Sequence, residues 1–439
     1  MNPNSQTINN TISASSHLDP SLNDDINLYE NENPKFSLVI FFVTVIIILI
    51  IFCVGVVAII YIFIIKPESD NSNRKTNPGQ YITLKERYKI DDYVKNCMKG
   101  ILLDDKKYPK LEKPKISIII PVYNKELFIL RILRSIQNQS LKEIEIIFCD
   151  DYSTDNSTKL IEQYKKEDER IVLLKQEKNR GTLRNRIDGA KIAKGEYILH
   201  VDANDLLVNN ILEKIYLKAK KKNFDIVQFL AYSGDLENSF IVWNSDRSTE
   251  PIYQPQLSNL MYYEKGYLHQ TEFLIWGKLI KREVFKEVID GIGEYYYNQH
   301  MSLHEDGLIL FILFRKAKSY IFIKEYGTVY YSNQYSTMRN TKNKEKINQS
   351  VHDCFLYLEF MFHKTNNTLY EKNMAVSQFL GLMNGYKDIY LQITEGYNYL
   401  YKVIDLYLNC DIILEKDKKV IQDLKNELKI REANKTSLV

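Results

Sequence analysis

The chain has 439 residues, of which 45% are hydrophobic, and a formal net charge of +3. That is ample apolar material for one large domain or two modest ones, and it excludes an intrinsically disordered protein. The 59 basic and 56 acidic residues are spread along the chain, so nothing calls for a nucleic-acid partner, and the five cysteines lack CxxC spacing and encode neither a zinc ribbon nor a disulfide framework.

Residues 1–35, rich in Asn, Ser and Asp and without a helical period, read as a disordered tail. Residues 36–65, FSLVIFFVTVIIILIIFCVGVVAIIYIFII, carry no charge. A bilayer needs ~20 apolar residues, so this run is predicted to be a transmembrane helix, and it is too long and starts too late for a cleaved signal. Asp19, Asp24, Asp25, Glu30 and Glu32 precede the span, whereas Lys66, Arg74, Lys75, Lys85 and Arg87 follow it. That bias favours a single-pass membrane protein with a cytosolic catalytic domain. A Golgi or endoplasmic-reticulum lumenal domain is the alternative, in which the sequons at Asn348 and Asn366 would be usable. Residues 66–114, Pro- and Asn-containing and then charged, read as a stem.

From Lys115 the pattern changes. Apolar runs at 116–122, 144–149, 171–174 and 196–201 alternate with helical stretches of ten to fifteen residues. Such alternation predicts a parallel sheet covered on both faces, with ligands bound beyond the carboxyl ends of the strands. At those ends stand Tyr123 and Asn124, then Asp150 and Asp151, then Asp202, Asn204 and Asp205. Each could cap a helix instead, but three strand ends converging on one crevice is a different matter from any one alone. No phosphate-binding P-loop and no GxGxxG is present, so the crevice must hold its ligand by other means. Tyr123 can stack on a base, Asp151 can accept from a base N–H or a ribose hydroxyl, and a cation at Asp205 could neutralise a diphosphate.

The segments KISIIIPVYNKELFILRILRSIQNQS, IEIIFCDDYSTDNS, NRGTLRNRIDGAKIAKGEYILHVDANDLL and HEDGLILFILFRKAKSY, in this order and spacing, resemble the family 2 glycosyltransferases. The resemblance covers about 115–335 and implies a GT-A fold, a Rossmann-like mixed sheet, for a catalytic domain over 115–335 followed by a helical C-terminal extension, 336–439. It implies that Pro121, Tyr123 and Asn124 form the first nucleotide-contacting turn, that Asp151 contacts the nucleobase, and that Arg184, in LRN, faces the nucleotide. Asp202 to Asp205 stand where the family carries its DxD-type motif, with Asn204 replacing a carboxylate, which implies Mn²⁺ or Mg²⁺ held by Asp205 and Asn204 with Asp202 beside them. Glu305-Asp306 resembles the family's acidic pair, whose aspartate acts as general base. The implied reaction moves a sugar from a nucleotide-diphosphate donor, UDP-linked first of all, to a glycan, lipid or protein acceptor with inversion. No QxxRW motif and no further span is found, which favours single addition.

Two other readings stand beside this one. A catalytically inactive GT-A module could serve as a membrane-tethered binding protein, a reading that Asn204 favours. A metal-dependent hydrolase could use His300 and His304, but HExxH is absent and a third ligand is missing. His200 reads as a strand residue packed inward.

Overall fold

The first two strands show why the apolar runs matter. β1 (Ile116–Val122) and β2 (Ile144–Asp150) are buried on both faces almost throughout. Ile116, Ile118, Ile120 and Val122 enter one core and Ile119 the other; Ile144, Ile146 and Phe148 join the first set, Ile147 and Cys149 the second. This is the two-residue period of a strand covered on each side. Between them α1 (Glu126–Gln137) buries Phe128, Ile129, Ile132, Leu133 and Ile136 along one stripe. α2 (Ser157–Glu167), β3 (Ile171–Lys175), α3 (Thr182–Ile192) and β4 (Tyr197–His200) follow, and β3, β2, β1 and β4 pair in parallel.

The structure, a computed structural model, describes residues 96–97, 99, 102, 108–234, 241–243, 248–261, 274–331, 343–366, 368–385, 393 and 395–436. The expected tail and transmembrane helix lie outside these residues. Among the described residues no helix is long and apolar enough to cross a membrane.

Beyond β4 the sheet becomes mixed. After β5 (Leu206–Leu207) and α4 (Ile211–Lys222) come β6 (Ile226–Gly234), β7 (Ile241–Trp243), β8 (Ile252–Tyr253) and β9 (Lys278–Lys281). Then follow α5 (Arg282–Ile292), the single turn α6 (Glu294–Tyr297), α7 (Glu305–Lys316) and β10 (Ser319–Tyr331). β9 inserts antiparallel between β4 and β6, and the strand order is β3-β2-β1-β4-β9-β6-β10-β5, with β7 on β6 and β8 on β10. α1 and α4 cover one face; α3, α5 and α7 cover the other.

The C-terminal region is helical: α8 (Lys344–Lys364), α9 (Leu369–Gly385), α10 (Tyr397–Leu408) and α11 (Glu415–Thr436). Its Tyr and Leu stripes are core: Tyr397, Leu400, Val403, Ile404 and Tyr407 meet Phe355, Val376 and Phe379. α8 is the seam, since Leu356, Tyr357, Phe360 and Met361 belong to the core of the sheet while Cys354, Phe355 and Leu358 belong to the helical core.

Part of the expected stem is packed rather than free. The Tyr108 ring is 6% exposed and lies 3.8 Å from the Arg170 guanidinium, which is itself paired with Asp168 at 2.8 Å. Tyr108 also bridges the backbone of Asp168, and its carbonyl accepts from Glu169 N–H at 3.0 Å.

Candidate active site

The turns after β1 and β2 are knitted together. Asn124, in the left-handed region at φ 53, accepts the Thr154 N–H at 2.8 Å through Oδ1 and donates its own N–H to Ser153 Oγ at 3.0 Å. Lys125 N–H donates to Ser157 Oγ at 2.8 Å and Glu126 N–H to Asp155 at 3.0 Å. Pro121 sits within β1 opposite Cys149, and the chain then presents Tyr123, 46% exposed, at the strand end. Asx and Ser side chains thus replace the backbone partners that the two turns lack.

Asp151 is buried, and its carboxylate accepts the N–H groups of Arg180 at 2.7 Å and Gly181 at 2.9 Å. It therefore fixes the loop between β3 and α3. Gly181 has φ +86°, and a Cβ there would lie 2.6 Å from the backbone of Met301. Only glycine fits that conformation and that approach. Leu183 N–H donates to the Met301 carbonyl at 3.0 Å, so the strand-end loop and the segment before α7 touch through main chain.

The acids of the DAND stretch separate into different environments. Asp202 is 31% exposed, and its Oδ1 pairs with Arg186 Nη2 at 2.8 Å. Asp205, expected as a cation ligand, is instead fully buried; it receives the Asn204 amide at 3.3 Å, and its N–H donates to the Asp202 carbonyl at 3.0 Å. Among the described residues no three His, Cys, Asp or Glu side chains form a group that could hold a metal ion. The residues present therefore do not form a cage made by protein alone. They do fit a hard cation shared with a diphosphate, a mode that needs only one or two protein oxygens, with Asp202 the accessible carboxylate.

Arg186 is the centre of the site. Its guanidinium is 2% exposed and lies 3.4 Å from Glu305 and 3.6 Å from Asp306 as well as on Asp202. Burial opposes its charge, but Asp202, Asp306 and Glu305 more than offset this and hold its pKa above the ordinary value. Burial raises the pKa of Glu305, and neighbouring Asp306 raises it further, while Arg186 pulls it back. Asp306 is likewise raised by burial, with Arg186 opposing. Asp306 Oδ2 accepts the Ile275 N–H at 3.1 Å, whereas Oδ1 accepts no hydrogen bond among the described residues. Burial lowers the pKa of Lys125, against the pull of Asp202 and Asp205.

Arg184, expected to face the nucleotide, lies on the outer face of α3. Its side chain bonds Asp188 at 2.9 Å and Asn298 at 3.0 Å and lies 3.6 Å from the Tyr297 ring. The reason is helical. Leu183, Arg186, Ile187 and Ala190 are buried on α3, whereas positions 184, 188 and 191 share the outer face. The period that places Leu183 inward also places Arg186 inward, a signal that the LRN triplet obscured.

The histidines are not gathered. His300 Nε2 bonds Asn179 at 2.8 Å, and His304 stacks on Tyr357, where burial pulls its pKa down to about 4. His200 is fully buried against Phe285, and among the described residues neither ring nitrogen makes a hydrogen bond; burial keeps it neutral.

A family model for glycosyl transferase family 2 matches residues 117–289, the span holding β1 to α5. Over 218 residues the chain is 29% identical to Glycosyltransferase GlyG of Streptococcus pneumoniae, covering 49% of this chain and 72% of that protein. Over 280 residues it is 29% identical to the cholesterol galactosyltransferase of Borreliella burgdorferi, covering 60% and 73%. The fold is similar to that of the crystal structure of S. aureus TarS 1–349 in complex with UDP-GlcNAc, with a TM-score of 0.52 and 16% identity over 72% of this chain and 89% of that one. At that identity the likeness establishes the mixed α/β GT-A fold. Together with the strand-end acids, these similarities identify a glycosyltransferase whose residues 117–289 match the glycosyl transferase family 2 model.

Proposed function

We propose that the protein transfers a sugar from a UDP-linked donor to an acceptor hydroxyl with inversion, and that residues 36–65 anchor it in a bilayer with the catalytic domain on the cytosolic side. The observation that carries the reading is the convergence of Asp202, Glu305 and Asp306 on one buried guanidinium, beside a loop fastened by Asp151. The TarS complex with UDP-GlcNAc supports a UDP-sugar donor.

In this reading Tyr123 stacks on the base and Asp151 borders it. Asp306 Oδ1, which has a lone pair to spare and a raised pKa, takes the proton of the acceptor hydroxyl as its oxygen attacks the anomeric carbon. The bond to the nucleoside diphosphate breaks on the opposite side, and the electron pair leaves with the phosphate. Arg186 keeps Asp306 and Glu305 from repelling Asp202, and its Nη1, buried without a hydrogen bond among the described residues, leaves a donor for ligand or water. Asp202, with the neutral oxygen of Asn204, would hold Mn²⁺ or Mg²⁺, which when bound supplies positive charge to the departing diphosphate.

The test uses the full-length protein in detergent with UDP- and GDP-sugars, Mn²⁺ or Mg²⁺, and glycan, protein and lipid acceptors, sterols included given the Borreliella relative. Release of UDP is expected, with Asp306→Asn lowering kcat about 10²- to 10⁴-fold while UDP affinity persists. Nucleotide binding without turnover by any pair would favour the tethered binding protein instead.

A further inference from the structure

The two carboxylates of the acidic pair open α7, and their placement depends on how the chain enters that helix. His304, the residue before Glu305, is in the left-handed region at φ 61, and its side chain makes no capping bond. What holds the entry comes from α8. Asp353 is fully buried, and its Oδ2 accepts both the Ser302 N–H at 2.9 Å and the Leu303 N–H at 3.0 Å. Its Oδ1 accepts the Gln349 amide at 2.6 Å, and that amide also reaches the His300 carbonyl at 3.4 Å. One turn further along α8, Tyr357 stacks on the His304 ring at 6.2 Å and abuts Gly307, where a Cβ would lie 2.6 Å from the Tyr357 ring. From the opposite side Met301 rests on Gly181 and bonds Leu183. The segment between Met301 and His304 is thus gripped on both flanks.

A fully buried carboxylate is costly unless something specific satisfies it. The one ionisable group within salt-bridge reach among the described residues is His352, 3.7 Å away and 40% exposed. Two consecutive backbone N–H groups and a side-chain amide do the rest. The arrangement spends a buried charge on fixing main chain beside the acidic pair.

We propose that Asp353 is a positioning residue: by holding the backbone of Ser302 and Leu303 it sets where α7 begins and hence where the Asp306 carboxylate meets the acceptor hydroxyl. α8 is then part of the catalytic apparatus, although it lies outside the span that the family model matches. This rests on the reading of Asp306 as the base.

The test compares full-length wild type, Asp353→Ala, Asp353→Asn and a control, Tyr407→Phe, in detergent. Tyr407 donates to the Leu358 carbonyl at 2.9 Å and so braces the same helix without touching the loop. The measurements are UDP affinity, steady-state turnover of the UDP-sugar, and hydrogen exchange at the Ser302 and Leu303 amides. Asp353→Ala is expected to lower kcat about tenfold to a hundredfold, with donor KM and UDP affinity within about twofold, and to speed exchange at both amides. Asp353→Asn keeps an oxygen that can accept both N–H groups and should recover most of the turnover, and Tyr407→Phe should melt earlier with kcat unchanged. Wild-type kcat in Asp353→Ala, UDP affinity falling in step with kcat, or an equal kcat loss in Tyr407→Phe would overturn the proposal. If wild type itself neither binds UDP nor turns over a UDP-sugar, the donor reading fails. The exchange data then still decide the positioning: unchanged exchange in Asp353→Ala overturns it and faster exchange supports it.

Discussion

Replacing Arg186 by methionine removes one charge that serves three. In the structure Nη2 lies 2.8 Å from Asp202, and Nε lies 3.4 Å from Glu305 and 3.6 Å from Asp306, with the guanidinium 2% exposed. At an effective dielectric of about 20 the closest pair alone amounts to roughly 6 kcal/mol before desolvation is subtracted. Desolvation consumes much of that, and breaking a buried pair from one side costs about 3–5 kcal/mol, because Glu305 and Asp306 stay buried without their partner. The loss should depend on pH. The folded pKa values of Glu305 and Asp306 are raised by burial, and Arg186 holds them down, so the variant raises them further. Acids whose pKa is higher folded than unfolded contribute stability that is fully present below the unfolded value and is lost as pH rises through the folded one. Urea unfolding of the full-length protein in detergent should therefore show a wider gap between wild type and Arg186→Met at about pH 8 than at about pH 5. Adding Glu305→Gln and Asp306→Asn to Arg186→Met should narrow the gap. A loss under about 1 kcal/mol at pH 8, or a gap equal at the two pH values, would refute the reasoning.

Gly181→Ala places a Cβ against Met301 at a φ that suits glycine alone, and it should cost about 2–5 kcal/mol and most of the turnover. A wild-type melting temperature would mean that the Met301 segment yields freely. Tyr152 is 55% exposed yet left-handed at φ 66, so Tyr152→Gly should leave stability unchanged or raise it by up to about 1 kcal/mol in thermal unfolding. A clear decrease would show that the ring makes contacts that outweigh the strain.

The parallel half of the sheet was legible because its strands are buried on both faces: ISIIIPV and IEIIFC leave no other economical reading, and the observed strands coincide with them within a residue. The positions of the acids were legible for the same reason, since the end of an apolar run marks the end of a strand, although Asp151 and Asp205 are buried there. β9 was not. Lys278–Lys281 is four residues long, has lysine at both ends, and buries Lys278 completely, so no period marks it. The inward turn of Asp205 was also hidden, because beyond a strand end the side-chain direction has no fixed alternation and depends on the turn. Arg186 was obscured by the neighbouring LRN triplet, although the spacing of Leu183, Ile187 and Ala190 carried its direction. Asp353 had no local signal at all; its meaning lies in amides fifty residues away.

The packing of Tyr108 bears on how the catalytic domain can be detached for study. β3 is the last strand on its side of the sheet, and the residues just before it carry the Asp168–Arg170 pair that Tyr108 covers. A fragment cut at the first strand would strip that lid, wet a buried ion pair and bare main-chain groups next to an edge strand, which invites self-association. Cys97 is buried as well, with Asn138 beside it. A soluble fragment should therefore begin ahead of Cys97, keeping a segment that the hydropathy pattern alone would mark as dispensable.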